Sequence, residues 1–401
     1  MRLALFVASW FSLSVVAEAG YLDDIGYTKL STTLGNQMLT GQGVFISQVE
    51  AGSGNTNTYF PDPNHNQFDA SFDPFGMDQT FVNGSAGAHA NPDISNHATN
   101  IGRSFYGNFG VARGANTVVI YEANDYIDDF LNCGSSGCGS TAPDAPTFID
   151  PSDGQLKTYV VQNHSWVGSL NSTNSDRTAL RKVDYLIDEY DLTMAVGVNN
   201  GTTELPNLLG HSFNAIAVGR TDGLHSIDTT SLSGYGPGRT KPSIVAPRPS
   251  TSSATAAVSG AATLLHEELA GTDGTRSEPM RAVILAGATK DEFIDFVDPG
   301  TGLLDPWDRT TSQPLDNILG AGELNVFNSY LITQGGQFAG STSTPAPVDS
   351  YGWDYQTVNS SSDRKYQIDI SEGSTAAELS IILTWNVDIN TFFLAAIRWP
   401  I

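Results

Sequence analysis

The sequence predicts an α/β fold, a mostly parallel β-sheet with helices on both faces. Three observations lead there. Short, nearly unbroken apolar runs recur between Gly43 and Asn325, a segment of helical periodicity lies between two of them, and helices rich in small residues close the series. A strand buried on both faces has no polar side to show, so continuous apolar runs mark a parallel sheet that is covered twice.

Taken in order, strands are expected in GVFISQVE (43–50), TVVIYEA (117–123), KTYVVQNHS (157–165), LTMAVGV (192–198) and AIAVGR (215–220). Before the fourth of these, TALRKVDYLIDEYD (178–191) places Leu180, Val183, Leu186, Ile187 and Tyr190 on one helical face. The stretch KPSIVAPRPSTSSATAAVSGAATLLHEE (241–268) opens as a loop with three prolines and passes into a helix of small residues at Thr251, Ser252 and Ser253. Another helix is expected from Ser277, in SEPMRAVILAGAT. Open sheets of this class carry their active residues at the carboxyl ends of the strands.

The two ends read differently. MRLALFVASWFSLSVVAEAGY has one Arg, an apolar run and the A-x-A pattern Ala17-Glu18-Ala19, so residues 1–19 are expected to be a secretory signal peptide. The run falls short of the ~20 residues that a membrane-spanning helix needs. No later run reaches that length, so no membrane span is expected and the mature chain is placed outside the cell, extracellular or periplasmic. After a domain spanning 20–332, the Gly-, Ser-, Thr- and Pro-rich stretch 333–350 reads as a linker. In 351–401, YQIDIS and ELSIILTWNVDI alternate with period two and predict strands of a partial, β-sandwich-like C-terminal module.

Composition narrows the partners. With 43 Asp+Glu against 19 Lys+Arg the net charge is −24, which excludes nucleic acid and favours solubility. Cys133 and Cys138 stand in NCGSSGC with no His beside them. In an oxidising compartment the pair is expected to form a short local disulfide rather than a metal site.

The segments GQGVFISQVEAG, NHATNIG, GVARGANTVVIYEA, MAVGVNNGT, KPSIVAP and TSSATAAVSGAATLL occur in the order found in the subtilisin-like serine peptidases, which the chain resembles from Leu22 to Tyr330. The chain order acid, His, Ser is subtilisin's own. The resemblance implies a secreted serine endopeptidase acting on protein or peptide substrates as a monomer, with no cofactor in its chemistry. Calcium, common in the family, has no ligand loop identifiable here.

Matched position by position, Ser252 falls on the nucleophile, at a helix start whose free N–H groups receive an oxyanion. Ser250 and Ser253 are its rivals, and Ser252 holds the place counted back from VSGAA. His97 matches the general base, with His89, in AGAHANP, as runner-up. Asn199 matches the side-chain oxyanion donor; Asn200 competes, but Asn199 keeps the Asn-x-Gly-Thr spacing with Gly201 and Thr202. Ser165, Trp166 and Gly168 in NHSWVGS match the edge that pairs with an extended peptide. Ala195 to Gly197 are expected to line the pocket for the residue before the scissile bond.

The chain also departs from the family. Glu50 stands where the family has Asp. Ser250 replaces a Gly, the Pro after the nucleophile's turn is missing from ATAAV, and, with only thirty residues separating Gly20 from Glu50, the family's usual inhibitory pro-domain is not expected. These departures keep a second reading open, a weak or inactive relative serving as an extracellular peptide- or protein-binding module. An esterase is disfavoured because no G-x-S-x-G surrounds Ser252.

Overall fold

The computed structural model describes residues 20–52, 57–72, 78–134, 137–227, 240–310, 313–359, 363–369 and 379–389. The expected signal peptide, 1–19, lies outside the described residues.

Seven strands form the central sheet: β1 (Ile46–Glu50), β2 (Thr80–Asn83), β3 (Thr117–Glu122), β4 (Val161–His164), β5 (Thr193–Gly197), β6 (Ile216–Arg220) and β7 (Ile244–Ala246). Their spatial order is β7-β6-β5-β4-β1-β3-β2. Every pairing is parallel. The five strands expected from sequence are there. The two outermost were not foreseen, since KPSIVAP read as a loop and TFVN was passed over. Edge strands of three or four residues, one flanked by prolines, are too short to show a period.

Side chains leave each strand on alternate sides, and here both sides are apolar. Ile46, Val118, Ile120, Ala195, Ile216 and Val218 face one core. Val49, Val119, Tyr121, Met194, Val196 and Ala217 face the other. The helices are α1 (Tyr27–Leu34), α2 (Asn96–Phe105), α3 (Thr173–Tyr190), α4 (Thr251–Glu268), α5 (Ser277–Ala286) and α6 (Val326–Gln334). Helix α3 covers the second core with Ala179, Val183, Leu186 and Ile187, and the other five cover the first.

Helix α4 runs through the middle of the first core. From Thr251 to His266 every residue except Ser252 is buried. Its small side chains allow this close approach: a Cβ on Gly260 would meet the Val111 Cβ at 2.5 Å.

Beyond α6, Ala346–Val348 pairs in parallel with Tyr366–Ile368. The strand expected in ELSIILTWNVDI does not form among the described residues; 379–389 carries no ladder. Side chains satisfy its backbone instead. Arg281 donates to the Trp385 carbonyl (2.7 Å), and Asn214 bonds both the N–H and the carbonyl of Val387 (2.8 and 3.2 Å). Buried backbone groups need partners, and another strand is only one way to supply them.

Candidate active site

Strand β1 ends at Glu50, which is fully buried. Helix α2 starts beside it, capped by Ser95, whose side chain accepts the Ala98 N–H. That cap sets His97 in the first helical turn. The His97 Nδ1 lies 2.6 Å from Glu50 Oε2, with the imidazole side chain 51% exposed. The bond to Glu50 raises the His97 pKa above its ordinary value, against the opposing pull of partial burial.

The other Glu50 oxygen is also held. Gln48, two residues earlier and therefore on the same strand face, donates from Nε2 to Glu50 Oε1 at 2.8 Å.

The three serines at the start of α4 separate by role. Ser250 is the N-cap: its Oγ accepts the Ser253 N–H (3.2 Å) and lies 2.8 Å from Ser253 Oγ. These two hydroxyls are spent on each other. Ser252 is partly exposed, and its Oγ donates to the Ser165 carbonyl at 3.3 Å. Among the described residues no hydrogen bond joins Ser252 to His97. Ser165 is buried, its Oγ lying 2.8 Å from Asn163 Oδ1 and 3.0 Å from the Ser252 carbonyl.

Asn199 and Asn200 part in a way their spacing did not indicate. The Asn199 Nδ2 donates to Thr203 Oγ1 (3.1 Å), and its backbone exchanges two 2.9 Å bonds with Ser226. Asn200 reaches the helix start, where its Oδ1 accepts the Thr251 N–H at 3.0 Å.

The expected substrate residues are scattered in environment. Trp166 is half-buried, its ring 5.9 Å from that of His164. The Gly168 carbonyl accepts from Leu208 N at 2.9 Å. Ala195 is only 1% exposed and belongs to the core beneath α4, and Gly197 is buried against Thr255. As placed, Ala195 and Gly197 offer no surface to a ligand, because α4 covers them.

His89, the runner-up base, has its Nδ1 2.5 Å from Asp125 Oδ1. With Glu122 these residues bring their potential ligand atoms within 4.8 Å of one another. Glu122 is the opposite number of Glu50 across β1 and β3. Its carboxylate already accepts from the backbone N–H groups of Gly52, Asn124 and Asp125 and from the Asn124 amide. Four donors use up a carboxylate's acceptor sites, so Glu122 caps a helical turn and has little left for a cation.

Cys133 and Cys138 are joined as a disulfide. The sequence reading missed Gln48, Glu122 and Tyr106. The first was detectable: a Gln two residues before the acid shares its strand face.

No family model matches the chain, and no curated protein matches it. Among solved structures it is similar to the prenylagaramide maturation protease PagA (18% identity, TM-score 0.44), covering 71% of this chain and 92% of that one. It is similar also to the patellamide maturation protease PatA (17% identity, TM-score 0.44), with 74% and 98% covered. At these values the functional reading rests on the chain's own residues.

Proposed function

We propose that the chain is a secreted serine endopeptidase of the subtilisin-like kind, with Glu50 as acid, His97 as base and Ser252 as nucleophile. The observation that carries this reading is the 2.6 Å contact of a buried carboxylate with the Nδ1 of a half-exposed imidazole. Holding Nδ1 as a donor leaves Nε2 as the acceptor for the nucleophile's proton. Ser252 leaves Ser165 by rotation about χ1 and passes its proton to His97, as hydrogen bonds in such sites often tighten only when substrate is bound. Its Oγ attacks the scissile carbonyl, and the oxyanion is received at the start of α4 by the Ser252 N–H, with Asn199 as the second donor once its amide turns from Thr203. His97 then protonates the departing amine, and water, activated by the same imidazole, hydrolyses the acyl-enzyme. No cofactor enters these steps. The 1–19 motif and the Cys133–Cys138 disulfide support export.

A second reading, a peptide-binding module without turnover, is favoured by one observation: Ser252 bonds to Ser165, not to His97. A biotinylated fluorophosphonate separates the two. The proposal expects covalent labelling of Ser252 that is lost in Ser252→Ala and His97→Ala. Peptide binding with no labelling of the folded protein would establish the module instead.

A further inference from the structure

We infer that Gln48 and Tyr106 are positioning residues that seat Glu50 against His97, an inference that rests on the catalytic reading above. Gln48 is wholly buried, so its amide is costly unless its polar atoms are bonded. Its Nε2 donates to Glu50 Oε1 (2.8 Å) and to the Ala98 carbonyl (2.9 Å), and its Oε1 accepts the Tyr106 hydroxyl (2.7 Å). One amide thus holds the acid and the first turn of the helix that carries the base. Tyr106 is the residue that ends that same helix, so both ends of α2 are tied to Gln48.

The amide orientation follows from these bonds. The Tyr106 hydroxyl is a donor, which turns Oε1 toward it and Nε2 toward the carboxylate. Tyr106 keeps its proton because burial, reinforced by the charge of Glu50, raises its pKa well above the ordinary value. Room for the ring is provided at Gly102, where a Cβ would come within 2.5 Å of the Tyr106 oxygen.

The arrangement accounts for a Glu at this place. A glutamate has one more rotatable bond than an aspartate, hence more ways to swing off the imidazole. Gln48 holds the oxygen that His97 does not, and so removes that freedom. Small misplacements of such a group lower the rate steeply.

The test combines kinetics with ¹⁵N-histidine NMR of the intact protein, the His97 signal assigned by its loss in His97→Ala. Gln48→Met is expected to lower kcat about a hundredfold and Tyr106→Phe about threefold to tenfold, each with KM little changed. Gly102→Ala, which displaces the ring while leaving both partners in place, should resemble Tyr106→Phe. In all three the His97 pKa should fall toward its ordinary value as the carboxylate moves off. In a Glu50→Gln background, Gln48→Met should lower kcat no further, since both changes act through one group. A His97 pKa that stays put or rises in Tyr106→Phe and Gln48→Met would overturn the inference, whatever happens to the melting temperature. The NMR result stands without turnover: an unlabelled, inactive wild type refutes the proposed function, while the shift in His97 still decides the positioning role.

Discussion

Glu50 reaches His97 only because its side chain has the length it has. Glu50→Asp draws the carboxylate back by about one carbon–carbon bond, ~1.5 Å, and opens a 2.6 Å contact beyond hydrogen-bond range. It parts from Gln48 by the same step. We therefore expect Glu50→Asp to lower peptide hydrolysis although Asp is the family's residue; a rise would mark Glu50 as a degraded acid. Glu50→Gln keeps the length but loses the charge, and a loss on the order of a hundredfold or more is expected. The pH profile tests the same contact. The base works as neutral imidazole, and the bond to Glu50 raises its pKa. The acidic limb of kcat/KM should therefore lie above 6.5 and move down toward it in Glu50→Gln. An unmoved limb would detach Glu50 from the base. At this scale motifs in the sequence name candidate residues, and the contacts those residues make come from the packed structure. His97 was singled out among seven histidines by its motif, but that Asn200 hydrogen-bonds to the helix start was decided by side-chain directions that no spacing records.

Helix α4 was legible as an element because its small residues form a run that only a close-packed helix needs. What the run packs against was not. Gly260 is an example: an Ala there gains about 1 kcal/mol of helix propensity, but its Cβ meets the β-branched Val111 at 2.5 Å. Such overpacking costs about 1–3 kcal/mol. Val111 offers a stiff Cβ rather than the end of a flexible chain, so the clash outweighs the propensity. Gly260→Ala should destabilise by about 1 kcal/mol or more in urea unfolding; a gain would mean that the packing yields. The edge strands β2 and β7 escaped the sequence for the opposite reason. Each is short and is defined by the neighbour it bonds, not by its own pattern.

Across the whole molecule, Glu323 joins parts that lie far apart in the chain. Its backbone exchanges 2.9 Å bonds with Thr289, and its Oε2 accepts the Thr221 hydroxyl at 2.8 Å. Burial raises its pKa from 4.5 to about 7. The fold then takes up this proton before the unfolded chain does. The favourable neutral form is fully present below 4.5, and its advantage is lost as the pH rises through 7. Glu323→Gln keeps an acceptor for Thr221 and removes the buried charge. It should leave stability unchanged near pH 4.5 and raise it above pH 7. The ceiling is about 3–4 kcal/mol, at ~1.4 kcal/mol per pH unit between those values. Denaturant midpoints at pH 4.5 and pH 8 measure it, and equal shifts at both would refute the burial argument.

The residues alone determined the fold class, the presence of the five inner strands, the small-residue helix and the short Cys133–Cys138 loop. Each is a local matter, written in periodicity or in composition. Tertiary structure decided what touches what. It set Gln48 between Glu50 and Tyr106, spent Ser250 and Ser253 on each other, turned Ser252 toward Ser165, and strapped 379–389 to Asn214 and Arg281 instead of to another strand. The reason is physical: a hydrogen bond between side chains depends on ångström distances between elements, and only the packed core sets those distances.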